Sequence, residues 1–404
     1  MKLLFFSMWY FPEPVGKPHS LAKEMIRRGH HVTVITGMPN YPKGKIYSEY
    51  KFKYLIIENI DGVRVIRIKF FINRSQNAIK RIITMASYSF FSFVISIIIG
   101  NDYDAVWSYQ IGFPALFYSL IYNKPHFHEV QDLWPIWAEN SLSGMNNKLK
   151  KLLILFQRIV YMQSKKIFTI SEGFAKSISS IFKIRIDKIL VLSNWADSRV
   201  SNIKVDEEIQ KSKNNVIEKK LIITYGGNIG KAQALNSLLL AANLLKDNQK
   251  VIFIIAGDGL EKQKLIKTAK ELNLNNVVFY SSMIPEEMAK LLKVSDILYL
   301  GLSKDKKYRI TIPSKIYTYY AIGKPILASV EGDTAELIKR DGVGFVVPAE
   351  DYIQIASKIN EIINIDRNIL ENIGYKANIL YNTKYSGNII AKKYERAFNI
   401  EKQK

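Results

Sequence analysis

The chain has 404 residues, 48% of them hydrophobic and 23% charged. That balance excludes a disordered or collagen-like chain, and the length points to two domains of roughly 150–200 residues. Lysine and arginine outnumber aspartate and glutamate 58 to 36, and the absence of cysteine excludes disulfides, thiolate metal sites and cysteine nucleophiles, as befits a reducing compartment.

The cationic excess is +14 up to residue 200 (27 against 13) and +8 beyond it (31 against 23). Such a surplus attracts phosphorylated substrates, acidic lipid headgroups and nucleic acid alike; no nucleic-acid module accompanies it, and nucleic acid is not an expected partner.

Lys2 to Phe6 reads as a first buried strand. A signal peptide is disfavoured there, because Pro12 and Pro14 interrupt the apolar run and no small-residue cleavage site follows. Then comes a helix over Ser20 to Arg28, ended by Gly29, and a strand over His31 to Ile35. Val63 to Phe70, Ala105 to Ser108, His126 to Val130, Lys166 to Ile170 and Ile189 to Leu192 continue the series.

The alternation of short apolar runs with amphipathic stretches is the pattern of a parallel sheet covered by helices on both faces. Ile82 to Ile99 carries no formal charge over eighteen residues, the lower limit for a membrane span, but Ser87, Ser89, Ser92 and Ser96 dilute it and a buried or surface-seated helix is expected. Asn147 to Lys166 mixes lysines with leucine, phenylalanine and isoleucine. It fits a basic amphipathic helix on an anionic membrane as well as a core helix with a solvated lysine face.

From Val205 to Lys220 the chain turns polar, as an interdomain linker or mobile loop would. The rhythm restarts at Leu221, with strands expected at Leu221–Tyr225, Val251–Ala256, Val277–Tyr280, Ile297–Gly301, Pro325–Ala328 and Gly344–Val347. The boundaries read from this are 1–200, 201–385, and a C-terminal helix, 386–404, able to cross back to the first domain.

Neither a P-loop, a full GxGxxG fingerprint nor a nucleophile elbow occurs. Glycine-bearing turns do follow predicted strands: Gly16-Lys17, Gly226-Gly227-Asn228-Ile229-Gly230-Lys231, and Gly257-Asp258-Gly259. Such turns let backbone amides approach a phosphate at a helix N-terminus, and they also serve plain packing. In Ile312-Pro313-Ser314-Lys315, Ser314 is placed to open a helix, Lys315 offers a cation to a diphosphate, and Gly323 with Pro325 ends the helix. Asp102 and Asp104 make a DxD pattern, and His126 and His128 fall on a strand beside Asp132; core histidines are the better reading.

These blocks, with YFPEPVGKPHSLAKEMIRRGHHVTVIT, MPNYPKGKIY, EVQDLWP, LSNWAD, YGGNIGKAQAL, IIAGDGLEK, IPSKIYTYYAIGKPILA and GDTAELIKRDGVGFVVPAED in order, resemble family-four retaining glycosyltransferases of the GT-B fold. Within that family they are similar to WbuB-like aminosugar transferases of capsule and lipopolysaccharide synthesis. The resemblance implies an α/β chain of two Rossmann-like, doubly wound domains facing across a cleft, the first binding an acceptor and the second a nucleotide sugar.

It further implies that Gly16 and Lys17 lie near the donor phosphates and that Gly227, Asn228, Lys231, Gln233 and Gly257 contact the diphosphate. Pro313, Ser314 and Lys315 would meet the leaving group, and Asp132 the reacting sugar or acceptor. Lys231, Lys315 and Asp132 are the catalytic candidates. The resemblance also implies that no metal or cofactor is required and that the donor is a UDP-sugar.

The acceptor implied is a polyprenyl-diphosphate-linked saccharide at an anionic membrane surface, with the protein peripheral on the cytoplasmic side. Two departures stand out. Gln131 replaces the usual arginine, and Thr318 replaces the glutamate that bonds the ribose, with Ile310 eight residues earlier where relatives carry a carboxylate. Thr318 keeps open a catalytically silent partner of a polysaccharide-assembly complex, and the shared fold keeps open a GT-B nucleotide-sugar epimerase.

Overall fold

A computed structural model describes residues 1–42, 44–73, 77–134, 136, 146–201, 203 and 220–399. The chain divides into two compact units, Met1–Ser193 with Ile390–Lys404, and Asn194–Ile389.

The first unit is built on eight strands: β1 (Lys2–Ser7), β2 (His31–Gly37), β3 (Leu55–Ile60), β4 (Val63–Ile68), β5 (Ala105–Tyr109), β6 (His126–Val130), β7 (Lys166–Thr169) and β8 (Ile189–Val191). Their order is β3-β4-β2-β1-β5-β6-β7-β8. The described pairings are parallel except β3 against β4. Because helices cover both faces, the central strands are apolar at nearly every position, and in β1 only Lys2 is exposed.

The strand β3 was not expected from the sequence pattern. It is an edge strand whose alternation is shallow, exposed to half-buried, and the Asp61-Gly62 pair that joins it to β4 takes positive φ at both residues. That Asp-Gly pair is the readable hairpin signal.

Helix α1 runs Gly16–Arg27, four residues earlier than the expected start at Ser20. Pro18 falls in its first turn, where the missing N–H costs no helical bond. Gly16 and Lys17 are therefore helical residues and not loop residues. After α1 come α2 (Ala78–Ile98), α3 (Phe113–Tyr122), α4 (Asn147–Gln163) and α5 (Glu172–Phe182).

In the second unit β9 (Leu221–Gly226), β10 (Val251–Ala256), β11 (Val277–Tyr280), β12 (Ile297–Gly301), β13 (Ile326–Ser329) and β14 (Gly344–Val347) are ordered β11-β10-β9-β12-β13-β14 and all parallel. One face of the sheet packs through Leu298, Leu300 and Ala328 and the other through Tyr225, Phe253 and Tyr299, as the period of two demands. Both sheets are doubly wound. The strand order reverses between β1 and β5 and again between β9 and β12, and these are the points where α/β sheets open a crevice beyond their strand carboxyl ends.

Of the expected linker, residues 205–219 lie outside the described residues. The closing helix, Gly387–Asn399, joins the first unit from Ile390 onward. Tyr394 sets its ring edge-on to Phe168 at 4.6 Å, Phe398 meets Phe127 at 4.9 Å, and Glu395 takes Arg28 and His30 at 3.0 Å each.

Candidate functional site

In the second unit Gly227, Gly257 and Lys315 come together at the β9/β12 reversal. Beyond β9, Gly227 N donates to Ala256 O at 2.8 Å and Ile229 N to Asp258 O at 2.8 Å, so the turn after β9 is zipped to the turn after β10. A Cβ on Gly257 would sit 1.8 Å from Gly227 O, at a φ of +142°. This glycine is required by the approach of one loop to the other, whatever ligand they share.

Tyr225 donates its hydroxyl to Asn228 O, and Gly230 N donates to Gln233 Oε1 at 3.1 Å. Gln233 thus braces its own turn. Asn228 and Lys231 remain exposed.

Lys315 opens the helix Lys315–Ile322, with Ser314 at its N-cap position, but the Ser314 hydroxyl makes no capping bond. Ile316 N and Tyr317 N donate to Pro313 O and Ser314 O at 3.1 Å each, and with no side-chain cap the helix N-terminus keeps positive dipole for an anion. The helix is seated by Tyr319, whose hydroxyl donates to Tyr299 O at 3.0 Å beneath β12. As expected, Gly323 ends the helix at φ +78° and Pro325 follows.

The Lys315 ammonium lies 3.5 Å from the centroid of the Tyr225 ring and 2.9 Å from where a Cβ on Gly227 would be. Desolvation holds its pKa well below the ordinary lysine value. A cation so placed gains by meeting an anion. Thr318 is half-buried, one turn further along.

The first unit keeps its own cluster. Lys17, almost fully buried, donates to Ser193 O at 3.1 Å and lies 5.1 Å from the Tyr394 ring. Desolvation pushes its ammonium down to about 8, against the pull of Glu129. Glu129, fully buried, accepts from Tyr394 Oη and from Gln131 Nε2, each at 2.6 Å. Gln131, at the departure from the family pattern, therefore holds this carboxylate.

Asp132 is open to solvent on one side yet crowded enough that desolvation raises its carboxyl above the usual range. The half-buried Tyr109 phenol is within electrostatic reach of both Glu129 and Asp132. Gly16 faces open space, with nothing within 4 Å of an added Cβ. Glu13, buried in the loop after β1, accepts backbone N–H groups of Tyr10, Asn40 and Tyr41 at 2.8–3.0 Å and ties that loop to the one after β2.

Sequence reasoning passed over Glu13, Tyr109, Glu129, Tyr225 and Tyr394. A readable signal existed for Glu129, a carboxylate closing an apolar strand three residues before Asp132. None existed for Tyr394, 265 residues from its partner.

Asp102 and Asp104 are engaged by Lys2, at the opposite, N-terminal edge of the sheet. His126 and His128 flank Ser108 Oγ at 2.7 Å each and are fully buried, and burial drives both pKa values down, that of His128 to about 3. They are neutral core residues.

Residues 18–195 match the model of the glycosyl transferase 4-like domain and residues 206–379 that of glycosyl transferases group 1. The chain is 25% identical over 356 residues, 83% of its length and 84% of the relative's, to the putative colanic acid biosynthesis glycosyl transferase WcaI of Escherichia coli K12. Among solved structures it is similar to Alr3699/HepE of Anabaena in complex with UDP, at a TM-score of 0.72 and 14% identity over 99% of this chain and 100% of the other. WaaG, a glycosyltransferase involved in lipopolysaccharide biosynthesis, superposes at a TM-score of 0.67 with 15% identity, covering 98% of this chain and 99% of that one.

Proposed function

This chain belongs to the group 1 glycosyltransferases of the GT-B fold, and from that premise we propose that it transfers a sugar, with retention of configuration, from a UDP-linked donor to a lipid-linked saccharide. The reading extends to an N-acetylated aminosugar donor, as in WbuB-like enzymes, and to a polyprenyl-diphosphate-linked acceptor. The product belongs to a capsule or O-antigen made at the cytoplasmic face of the inner membrane. Support comes from the colanic acid role of WcaI and the lipopolysaccharide role of WaaG, and from the UDP held by the Anabaena protein.

The observation that carries the donor assignment is Lys315. Breaking a glycosyl phosphate bond builds negative charge on the departing diphosphate and positive charge on the anomeric carbon, so preorganised cations and amides are the main catalytic device. A desolvated ammonium beside the Gly227 backbone, at the head of an uncapped helix, is suited to that charge.

In this reading Lys231, Asn228 and the Gly227 and Gly257 turns cradle the phosphates, with the Pro313-Ser314 turn presenting the Ser314 and Lys315 N–H groups to the leaving group. Thr318 bonds the ribose in place of a carboxylate. Gly16 leaves room for close approach, and Lys17, which donates to Ser193 O under the pull of Glu129, fixes the start of α1. Asp132, with a raised carboxyl, orients the acceptor hydroxyl or takes its proton.

A thermal-shift panel of UDP-, GDP- and dTDP-sugars tests the donor, since a ligand bound only by the native state raises the melting temperature. NMR of the product's anomeric proton reads the stereochemistry. A UDP-sugar shift followed by acceptor-dependent transfer is expected. Donor conversion without acceptor would favour the epimerase, and silence toward every donor would favour the inactive partner suggested by Thr318.

A further inference from the structure

Helix α2 is turned inside out relative to a soluble surface helix. Its buried stripe is Thr84, Tyr88, Ser92 and Ser96, with the Ser92 and Ser96 hydroxyls bonding back to Tyr88 O and Phe93 O at 2.5 and 2.6 Å. The outward stripe is Ile79, Ile83, Phe90, Val94 and Ile98, between 36% and 72% exposed. A helix in water places these the other way round.

Neighbouring helices repeat the arrangement. On α3, Phe117, Leu120 and Ile121 are 49–58% exposed. In α4, Gln157 is buried against His128 while Leu152, Leu155, Phe156, Ile159 and Met162 face outward. Phe93 of α2 meets Phe117 of α3 at 5.7 Å, and Phe113 of α3 meets Phe156 of α4 at 5.9 Å, so the three outward stripes belong to one surface.

Charge decides what covers it. The three helices contain Lys80, Arg81, Lys148, Lys150, Lys151 and Arg158 and no aspartate or glutamate, six cations against zero acids. A second copy would oppose six positive charges with six more. An anionic bilayer meets both the apolar stripes and the charges.

Nor is α2 free to cross a membrane, although 20 of its residues are long and apolar enough. Tyr88 Oη donates to Ile35 O at 3.2 Å, and Ser87 and Thr84 accept the backbone N–H groups of Phe71 and Asn73, which fastens the helix flat along its own unit.

We propose that the outward face of α2, α3 and α4 is a monotopic membrane seat, inserted into the headgroup and upper acyl region of an anionic leaflet. Its use in delivering a lipid-linked acceptor rests on the function proposed above; its affinity for lipid does not.

The test is co-sedimentation of the full chain with phosphatidylglycerol-containing and pure phosphatidylcholine vesicles at low and high salt. Two variants accompany it, F90S/F117S/L155S and K80E/K148E/K151E. Wild type is expected to pellet with the anionic vesicles and to lose about tenfold in partitioning on neutral ones. The serine variant should lose binding at both salt levels, and the charge-reversed variant should bind anionic vesicles no better than wild type does at high salt.

Wild type left in the supernatant with anionic vesicles at low salt overturns the proposal, as does a serine variant that binds like wild type. Light scattering that shows a dimer, lost in the serine variant, overturns it in favour of a second copy. Melting temperature and the UDP-induced thermal shift, read on the same samples, report folding and the donor reading separately.

Discussion

Gly16 and Gly257 both belong to segments that the sequence offers as phosphate-binding turns, and the same substitution is expected to have opposite effects on stability at the two sites. At Gly257 an alanine Cβ would lie 1.8 Å from Gly227 O, so the two loops must part by more than an ångström. That sacrifices the Gly227 N to Ala256 O and Ile229 N to Asp258 O bonds, about 1 kcal/mol each. Holding a non-glycine residue at φ +142° adds about 1–3 kcal/mol.

The sum for Gly257→Ala is about 3–5 kcal/mol, or roughly a 10 °C fall in melting temperature for a unit of this size. Gly16→Ala meets no atom within 4 Å and lies in the first turn of a helix at ordinary φ. It should stabilise by about 0.4–1 kcal/mol through the unfolded chain, while weakening UDP-sugar turnover if the open space there admits the donor. Urea denaturation followed by calorimetric titration with UDP separates stability from binding. A Gly257→Ala protein within about 1 kcal/mol of wild type would refute the loop-contact reasoning.

Three further outcomes follow from the same geometry. Lys315→Ala should weaken UDP binding about 10- to 100-fold. Because the folded pKa of Lys315 is lowered, wild type should take up a proton when UDP binds, and affinity should fall as pH rises; titrations in buffers of different ionisation heat measure both. Asp132→Asn should cut turnover by about 10²–10⁴ without loss of melting temperature. The folded carboxyl is raised, so the folded state binds more protons than the unfolded one just above the ordinary aspartate pKa and wild type loses stability as pH climbs through that window, a loss the variant lacks. Tyr394→Phe removes a 2.6 Å bond to the buried Glu129 and should cost about 1.5–3 kcal/mol in urea unfolding.

Local chemistry was legible along the chain. Apolar runs marked the parallel strands because strands covered on both faces need no polar side, and Gly323 with Pro325 marked a helix end because both act through the backbone of their own neighbourhood. The Gly227, Asn228 and Lys315 neighbourhood was foreseeable for the same reason, since turns that follow parallel strands converge at one edge of a sheet.

What the tertiary structure alone decided concerns contacts between distant residues. Lys17 looked like a free phosphate ligand and is buried on Ser193 O; Gly257 looked like a ligand contact and answers first to Gly227. In α2 the serines dilute an apolar run without saying which way they face, and Ser92 and Ser96 prove to be on the buried side. A sequence records which groups are polar or small. Which of them pays desolvation, and which face of a helix is left outward, depends on the partner that packs against it, and that partner arrives from far along the chain.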